Sequence, residues 1–363
     1  MAPKTRDARR QTFFWASQFI IALYLFCQPA YAQTITTCFG KIEVTDPLIL
    51  NLINAPGFQR MKDIDQSGPL PYFIKDFPKF SRYEHSIGVF YLLNKFDAPY
   101  DEQVAGLLHD VSHTAFSHLA DHVFEHEDHE ISYQDSIHLS AVEKLGLKKV
   151  TDRHQFDFTK LDHKAQPYPM LEQPGPDLCA DRIEYLLHTG HILGLLTDSE
   201  LQAMLADLVY KDGVWYFNTL HSARKLGLLS LHLTEGWYAA PWNWSMYDWV
   251  AKALNRSFEI RLITKDDFHH KTDQHIMQKL VKSKDKKIKQ YLEYARNNDQ
   301  TFKVVSDNSH DIVLNLKFRG VNPLYLTHEG LARVTDADVA FAERFYALKT
   351  KLQNGIKLKR LTS

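Results

Sequence analysis

The sequence predicts a mainly α-helical protein that closes on a smaller α+β region. Three observations carry that expectation. Apolar residues recur at helical spacing through most of residues 41–254. The last 65 residues or so change texture, with two strand-like runs ahead of a terminal helix. The composition is that of a globular chain: 363 residues, 44% hydrophobic and 24% charged, with a formal net charge of −1. It excludes a disordered chain, a collagen and a polytopic membrane protein. A balance so near zero gives no global push toward nucleic acid or an anionic membrane. Three cysteines exclude a disulfide scaffold and a four-cysteine zinc module. No internal repeat, low-complexity tract or long linker interrupts the chain.

The first segment reads as an address. Lys4, Arg6, Arg9 and Arg10 stand against Asp7 alone, and the apolar run Phe13–Phe26 follows. Pro29-Ala30-Tyr31-Ala32 then supplies a small-residue cleavage pattern. Together these describe a secretory signal peptide over residues 1–32, with export to the periplasm or the medium. The alternative is an uncleaved anchor formed by residues 13–26, although 14 residues are few for a membrane span. Removing residues 1–32 takes the formal charge from −1 to −4 and leaves Cys38 and Cys179. In an oxidising compartment those two could pair, or stay as buried thiols.

The elements follow in order. IEVTDPLILNLIN alternates loosely, and APGFQRMKDI looks like a helix opened by Pro56. GPLPYFIKDFPKFS is a loop. Arg82–Phe96, Gln103–Ser112, Ala115–Phe124, Asp135–Leu145 and Leu178–His188 have helical spacing, and the Pro-rich stretch 161–177 is a loop. Helices continue from about 196 to 254. Trp242 and Trp244 in that stretch suit core or groove packing better than a cofactor box. The basic run Lys282–Lys289 reads as a solvated helix face rather than a phosphate site. TFKVVS and DIVLNLKF read as strands, and GLARVTDADVAFAERFYALKTKL as a terminal helix capped by Thr335 or Asp336. The expected domains are residues 33–255 and a C-terminal accessory region, 256–363.

One count is out of proportion: the chain has 19 histidines, and eight fall between His85 and His138. Histidine is the common metal ligand and proton carrier. His109 and Asp110 are adjacent, so on a helix they diverge by about 100° and meet one ion only where the helix ends or kinks. His113 lies one turn from His109 on the same face. Two imidazoles and two carboxylates around one ion, with room for water, make a hydrolytic site.

Four separated motifs occur in order: SRYEHS (81–86), LHDVSH (108–113), FSHLAD (116–121) and CADRIEY (179–185), within the longer stretches RYEHSIG, LLHDVSHTAFSHLAD and ADRIEYLL. In that combination the chain resembles the HD-domain phosphohydrolase superfamily, and within it the triphosphohydrolase branch of dNTPases and dGTPases. The resemblance runs from about Lys41 to Tyr185 and continues faintly to about residue 295. It implies one divalent metal ion (Mn, Fe, Ni, Co, Zn or Mg) on His85, His109, Asp110 and Asp181. It implies Arg82 on substrate phosphate, His113 as a phosphate-contacting or catalytic histidine, His118 with its acidic partner Asp121 as a further active-site pair, and His129 as a catalytic histidine, with His126 as rival. Gln66 matches a glutamine that touches the sugar, and Tyr185 a tyrosine lining the nucleotide pocket. The substrate it implies is a phosphorylated small molecule, in the first place a nucleotide. Relatives often assemble, which implies a homo-oligomer. The alternatives are a phosphomonoesterase or phosphodiesterase acting on other small phosphoesters, and a non-catalytic nucleotide-binding scaffold.

The sequence also departs from that branch. Where the branch reads R-x-I-K-Q-L-G, this chain has Lys62 for the arginine and Asp65 for the lysine. Thr189, preceded by His188, stands where many dNTPases carry an acid for the sugar hydroxyl. The His-Lys pair that grips distal phosphates falls near EGWYAAPWN (Glu235–Asn243), which has no Lys or Arg. The metal centre is expected intact and the nucleotide specificity altered.

Overall fold

The computed structural model describes residues 32–124 and 132–361. The export segment before Ala32 and the His126/His129 pair lie outside the described residues. Among the described residues the protein is mainly α-helical, with three small sheets.

An N-terminal hairpin, β1 (Gln33–Thr37) with β2 (Gly40–Val44), precedes helix α1 (Pro47–Asn54). Sequence periodicity missed this hairpin because only Ile35, Ile42 and Val44 face inward. The scaffold of the site is helix α2 (Arg82–Lys95), followed by α3 (Tyr100–Leu108) and later by α4 (Ala180–Ile192). Ser81 and Glu84 form a capping box that starts α2 at Arg82. One side of α2 puts Ile87 and Phe90 into a core shared with the hairpin and α1. The other side puts Val89, Leu92 and Leu93 into the main core. The helix is therefore wedged between two hydrophobic cores.

Downstream, β3 (Leu208–Lys211) and β4 (Val214–Phe217) form a hairpin where continuous helix was expected. Its Asp212-Gly213 turn has both residues at positive φ, 52° and 84°, the chemistry of a two-residue hairpin loop. Helices α5 (Leu220–Leu233) and α6 (Pro241–Glu259) follow, and α6 runs across residue 255, where the boundary was placed. After a short helix at Lys265–His270 comes helix α7 (Asp273–Lys282).

The two expected strands are present as β5 (Phe302–Val304) and β6 (Ile312–Leu314). The terminal segment differs from expectation. Gly330–Arg333 is strand β8, paired with β7 (Leu324–Thr327), and the long helix α8 (Val339–Gln353) is capped by Asp338 rather than by Thr335 or Asp336. The last strand, β9 (Ile356–Arg360), lies between β5 and β6. Strand β7 runs parallel to β4, with Tyr216 opposite Leu324. Phe341 and Phe345 of α8 join the main core. The C-terminal region is thus built into the helical part through both a sheet and the core.

Candidate metal centre

Helix ends deliver the key side chains. His85 lies one turn inside α2, behind the capping box. Helix α3 stops at Leu108, so His109 and Asp110 leave it together in a turn. That is the arrangement their adjacency required. Asp181 is the second residue of α4.

Donor atoms of His85, His109 and Asp181 all lie within 4.8 Å of one another, an arrangement that could hold a metal ion. His85 Nε2 is 3.2 Å from His109 Nε2 and 3.0 Å from an Asp181 oxygen. Asp110 joins them, with one oxygen 3.5 Å from His85 Nε2 and the other 3.5 Å from His109 Nε2. The hydrogen bonds on the far sides of the rings decide what these atoms offer. Gly106 carbonyl, which can only accept, takes the Nδ1–H of His109 at 2.7 Å. The Glu184 carboxylate accepts the Nδ1–H of His85. In neutral rings both Nε2 lone pairs then face each other and two carboxylates, a set that repels itself unless a cation sits between. The charges point the same way. Burial alone would lower His85, but Glu184, Asp181 and Asp110 outweigh it and lift the imidazole to about 10. His109 is raised as well, burial being outweighed by Asp110 and Asp181. The donor set fits a divalent ion.

Beside the donors stands Arg82, buried at 3% exposure. Its Nη1 donates to Asp110 at 2.6 Å and its Nε to Ser117 Oγ at 3.0 Å, while Nη2 is buried with no partner. His113 turns its Nε2 to Asp110 at 3.3 Å and leaves Nδ1 buried and unpaired. Burial, reinforced by Arg82, lowers His113 to about 3, so the ring is neutral and its one N–H is committed to Asp110. His118 is partly open, at 39% side-chain exposure, with Nδ1 3.2 Å from Asp121. Asp121 also accepts the Tyr133 N–H at 2.8 Å. Phe116 and Ser117 precede His118 in the left-handed region, at φ 60° and 54°. This breaks the helix expected over Ala115–Phe124 and places Ser117 under Arg82. Tyr185, one turn beyond Asp181, meets Tyr238 edge-on at 5.9 Å. Gln66 is tied to Phe80 carbonyl at 2.6 Å, beside the start of α2, with its side-chain oxygen buried and unpaired.

Sequence reasoning missed Glu184, which is fully buried and bridges His85 to His188 Nδ1 at 2.8 Å. Its spacing from Asp181, one turn along α4, was the available signal. It also missed His138 and His163, which pack behind His109, with His163 6.1 Å from the His109 ring. His163 sits in a loop without periodicity, so no pattern marked it. The charge reversal at Asp65 has a structural meaning. Its carboxylate accepts the N–H groups of Ser67 and Phe80, and its carbonyl accepts the Ser117 hydroxyl. Lys62 points its amine over the Tyr83 ring.

Comparison with known proteins agrees with this geometry. The HD domain family model matches residues 82–178. The uncharacterised protein YdhJ of Bacillus subtilis is 30% identical over 287 residues, covering 78% of this chain and 86% of YdhJ. The chain belongs to the HD-domain superfamily of metal-dependent phosphohydrolases. Among further relatives of this HD phosphohydrolase is the metal-dependent phosphohydrolase cns2 of Cordyceps militaris. It is 34% identical over 179 residues, 47% of this chain and 48% of cns2. The deoxynucleoside triphosphate triphosphohydrolase SAMHD1 of Danio rerio is 36% identical over 138 residues, which span 22% of that enzyme. A phosphohydrolase from Bacteroides thetaiotaomicron shares the fold, with a TM-score of 0.66 at 15% identity over 90% of this chain and 99% of that one.

Proposed function

We propose that this HD phosphohydrolase cleaves a nucleotide or a closely related small phosphoester, using one divalent ion held by His85, His109, Asp110 and Asp181. The observation that supports this best is the convergence of those donors beside the unpaired Nη2 of Arg82. A divalent ion in that set supplies Lewis acidity: it makes a water nucleophilic near neutral pH and offsets phosphate charge. The chain does the rest. Arg82, fixed by Asp110 and Ser117, offers Nη2–H to a non-bridging phosphate oxygen. His113 holds Asp110 in place. His118, with its Nδ1 side turned to Asp121, presents Nε2 to the open side and moves the proton to the leaving oxygen. His129, with His126 as rival, remains a candidate for the same task. Tyr185 and Gln66 line the sugar side of the substrate.

Asp65 and Thr189 favour a second reading, a phosphomonoesterase or phosphodiesterase on other small esters, because both replace groups that grip a nucleoside triphosphate in similar enzymes. A non-catalytic scaffold is disfavoured by the retention of a full donor set together with Arg82. Export through residues 1–32 belongs to the proposal too, resting on that segment's sequence, as does a homo-oligomeric state.

The decisive experiment uses protein beginning at Gln33. Metal content is measured, and product release is followed from dNTPs, nucleoside monophosphates and an aryl phosphate. The expected result is about one equivalent of divalent metal and hydrolysis of at least one of these. Release of intact triphosphate identifies a triphosphohydrolase, and orthophosphate identifies a monoesterase. His109→Ala and Asp110→Ala should lose both metal and activity; activity retained in either would overturn the assignment.

A further inference from the structure

Strands β1 and β2 are joined by a two-residue turn, Cys38-Phe39, closed by the pair Thr37 and Gly40. Such turns favour Asn-Gly or Asp-Gly, so each of these residues is there for another reason. Phe39 is buried in the main core, with its ring 5.8 Å from that of Tyr91 on α2. Its N–H donates to Thr37 Oγ1 at 3.1 Å, and its carbonyl accepts from Gln202 Nε2 at 3.2 Å. The turn is thereby fixed against the helical part, and the position of Cys38 is fixed with it.

Cys38 is a half-buried free thiol that reaches the acidic layer behind the metal centre. Its Sγ, a Glu184 oxygen and a His188 ring nitrogen all lie within 4.8 Å of one another. His188 is held in place by the Phe80 ring, 3.8 Å away between centres, and by Glu184 Oε1 at 2.8 Å from Nδ1. The other Glu184 oxygen accepts the Nδ1–H of His85. None of the three residues belongs to the set formed by His85, His109, Asp110 and Asp181.

A cysteine kept for packing sits among apolar atoms. This one faces a buried carboxylate and an imidazole. Burial, reinforced by the Glu184 charge, holds the thiol above its ordinary range, so the empty site stores the sulfur in its protonated form. A divalent ion exchanges for that proton, which passes to solvent, and the repulsion between thiolate and carboxylate becomes a shared attraction to the ion. Thiolate, imidazole and carboxylate are the ligands of zinc, and the sulfur selects against magnesium and calcium.

We propose that Cys38, Glu184 and His188 form a second metal site, for a thiophilic divalent ion such as zinc. Three protein ligands leave a position for water. Glu184 joins the two centres, with one oxygen on the second ion and the other on His85. The site stands apart from the phosphohydrolase reading, because no residue of it is assigned to substrate or to the first ion.

The test uses the full-length chain, reduced, stripped of metal with a chelator and titrated with cobalt(II). Cobalt bound by a thiolate has a strong sulfur-to-metal charge-transfer absorption in the near ultraviolet, which a histidine and carboxylate site lacks. Wild-type protein should develop this absorption up to one equivalent of cobalt per chain, and zinc, but not magnesium, should bleach it. Cys38→Ser and Cys38→Ala should lack it, whereas Cys27→Ser and Cys179→Ser should keep it. His188→Gln retains the sulfur and should weaken cobalt at this site by about tenfold or more; an affinity within about twofold of wild type would overturn the site. So would a wild-type protein without the absorption, its survival in both Cys38 variants, or its loss in Cys179→Ser. His109→Ala should empty the first centre and keep the absorption, so failure of the phosphohydrolase reading and failure of this site are seen separately.

Discussion

Glu184 shows how much of a metal centre lies one layer behind its ligands. Its two oxygens are divided between His85 and His188, and among the described residues no other charged side chain is more fully buried. It fixes which nitrogen of His85 carries the proton and adds negative charge behind the ligand. A Cβ at Gly88, on the next turn of α2, would collide with the Glu184 carboxylate, so glycine is needed there for the approach. Glu184→Gln keeps the shape and removes the charge. It should weaken metal binding by about 10–100-fold, read by competition with a chelator, with little change in secondary structure. An unchanged affinity would show that His85 is oriented by packing alone. The candidate donors were readable from the motifs that carry the family resemblance, and the adjacency of His109 and Asp110 restricts where those two can point. Glu184 offered only its one-turn spacing from Asp181, and His138 and His163 offered no pattern, because each meets a partner distant in sequence.

At the level of elements, the site depends on where helices begin and end. The end of α3 at Leu108 lets His109 and Asp110 converge, and the capping box sets where α2 begins. Ser81→Ala removes one half of that box. The cap is worth about 1 kcal/mol, which for a protein of this size means a melting temperature lower by roughly 1–2 °C. Thermal unfolding should show that drop, and metal affinity should fall with it because His85 is on the first turn. The long helices were legible from apolar residues at helical spacing, whereas the helix expected over Ala115–Phe124 is interrupted by the left-handed pair Phe116 and Ser117. The strands were less so: β1, β3, β7 and β8 have four or five residues each. Runs that short carry little alternation, and their partners are far along the chain or across a turn. The Asp212-Gly213 turn was a readable signal for the β3–β4 hairpin that the expectation of continuous helix overrode.

Across the whole molecule, stability is coupled to pH through two carboxyls outside the metal site. Asp273, on the first turn of α7, accepts the N–H groups of Asp65 and Phe116 at 2.8 and 2.6 Å. Burial pushes it up to about 8. Asp65 is raised to about 6, also by burial. The native state therefore keeps protons that the unfolded chain releases near pH ~4. Their contribution is complete below that pH and is lost as pH rises, through about 6 for Asp65 and about 8 for Asp273. Each group contributes a slope of about 1.4 kcal/mol per pH unit within its window. Urea unfolding between pH 5 and 9 should show stability falling with pH, and Asp273→Asn should flatten the upper part of that fall. A variant with the wild-type slope would show that Asp273 is ionised in the native state.

The wedging of α2 between two cores divides the walls of the site by their freedom to change. Any substitution along α2 is felt by both cores at once, so the wall carrying Arg82 and His85 is closed to variation. The second wall, the aromatic turn around Tyr238 that meets Tyr185 of α4, is packed against the main core. Descendants of this protein can therefore exchange one phosphorylated substrate for another by rewriting that second wall, while the chemistry they inherit stays the same.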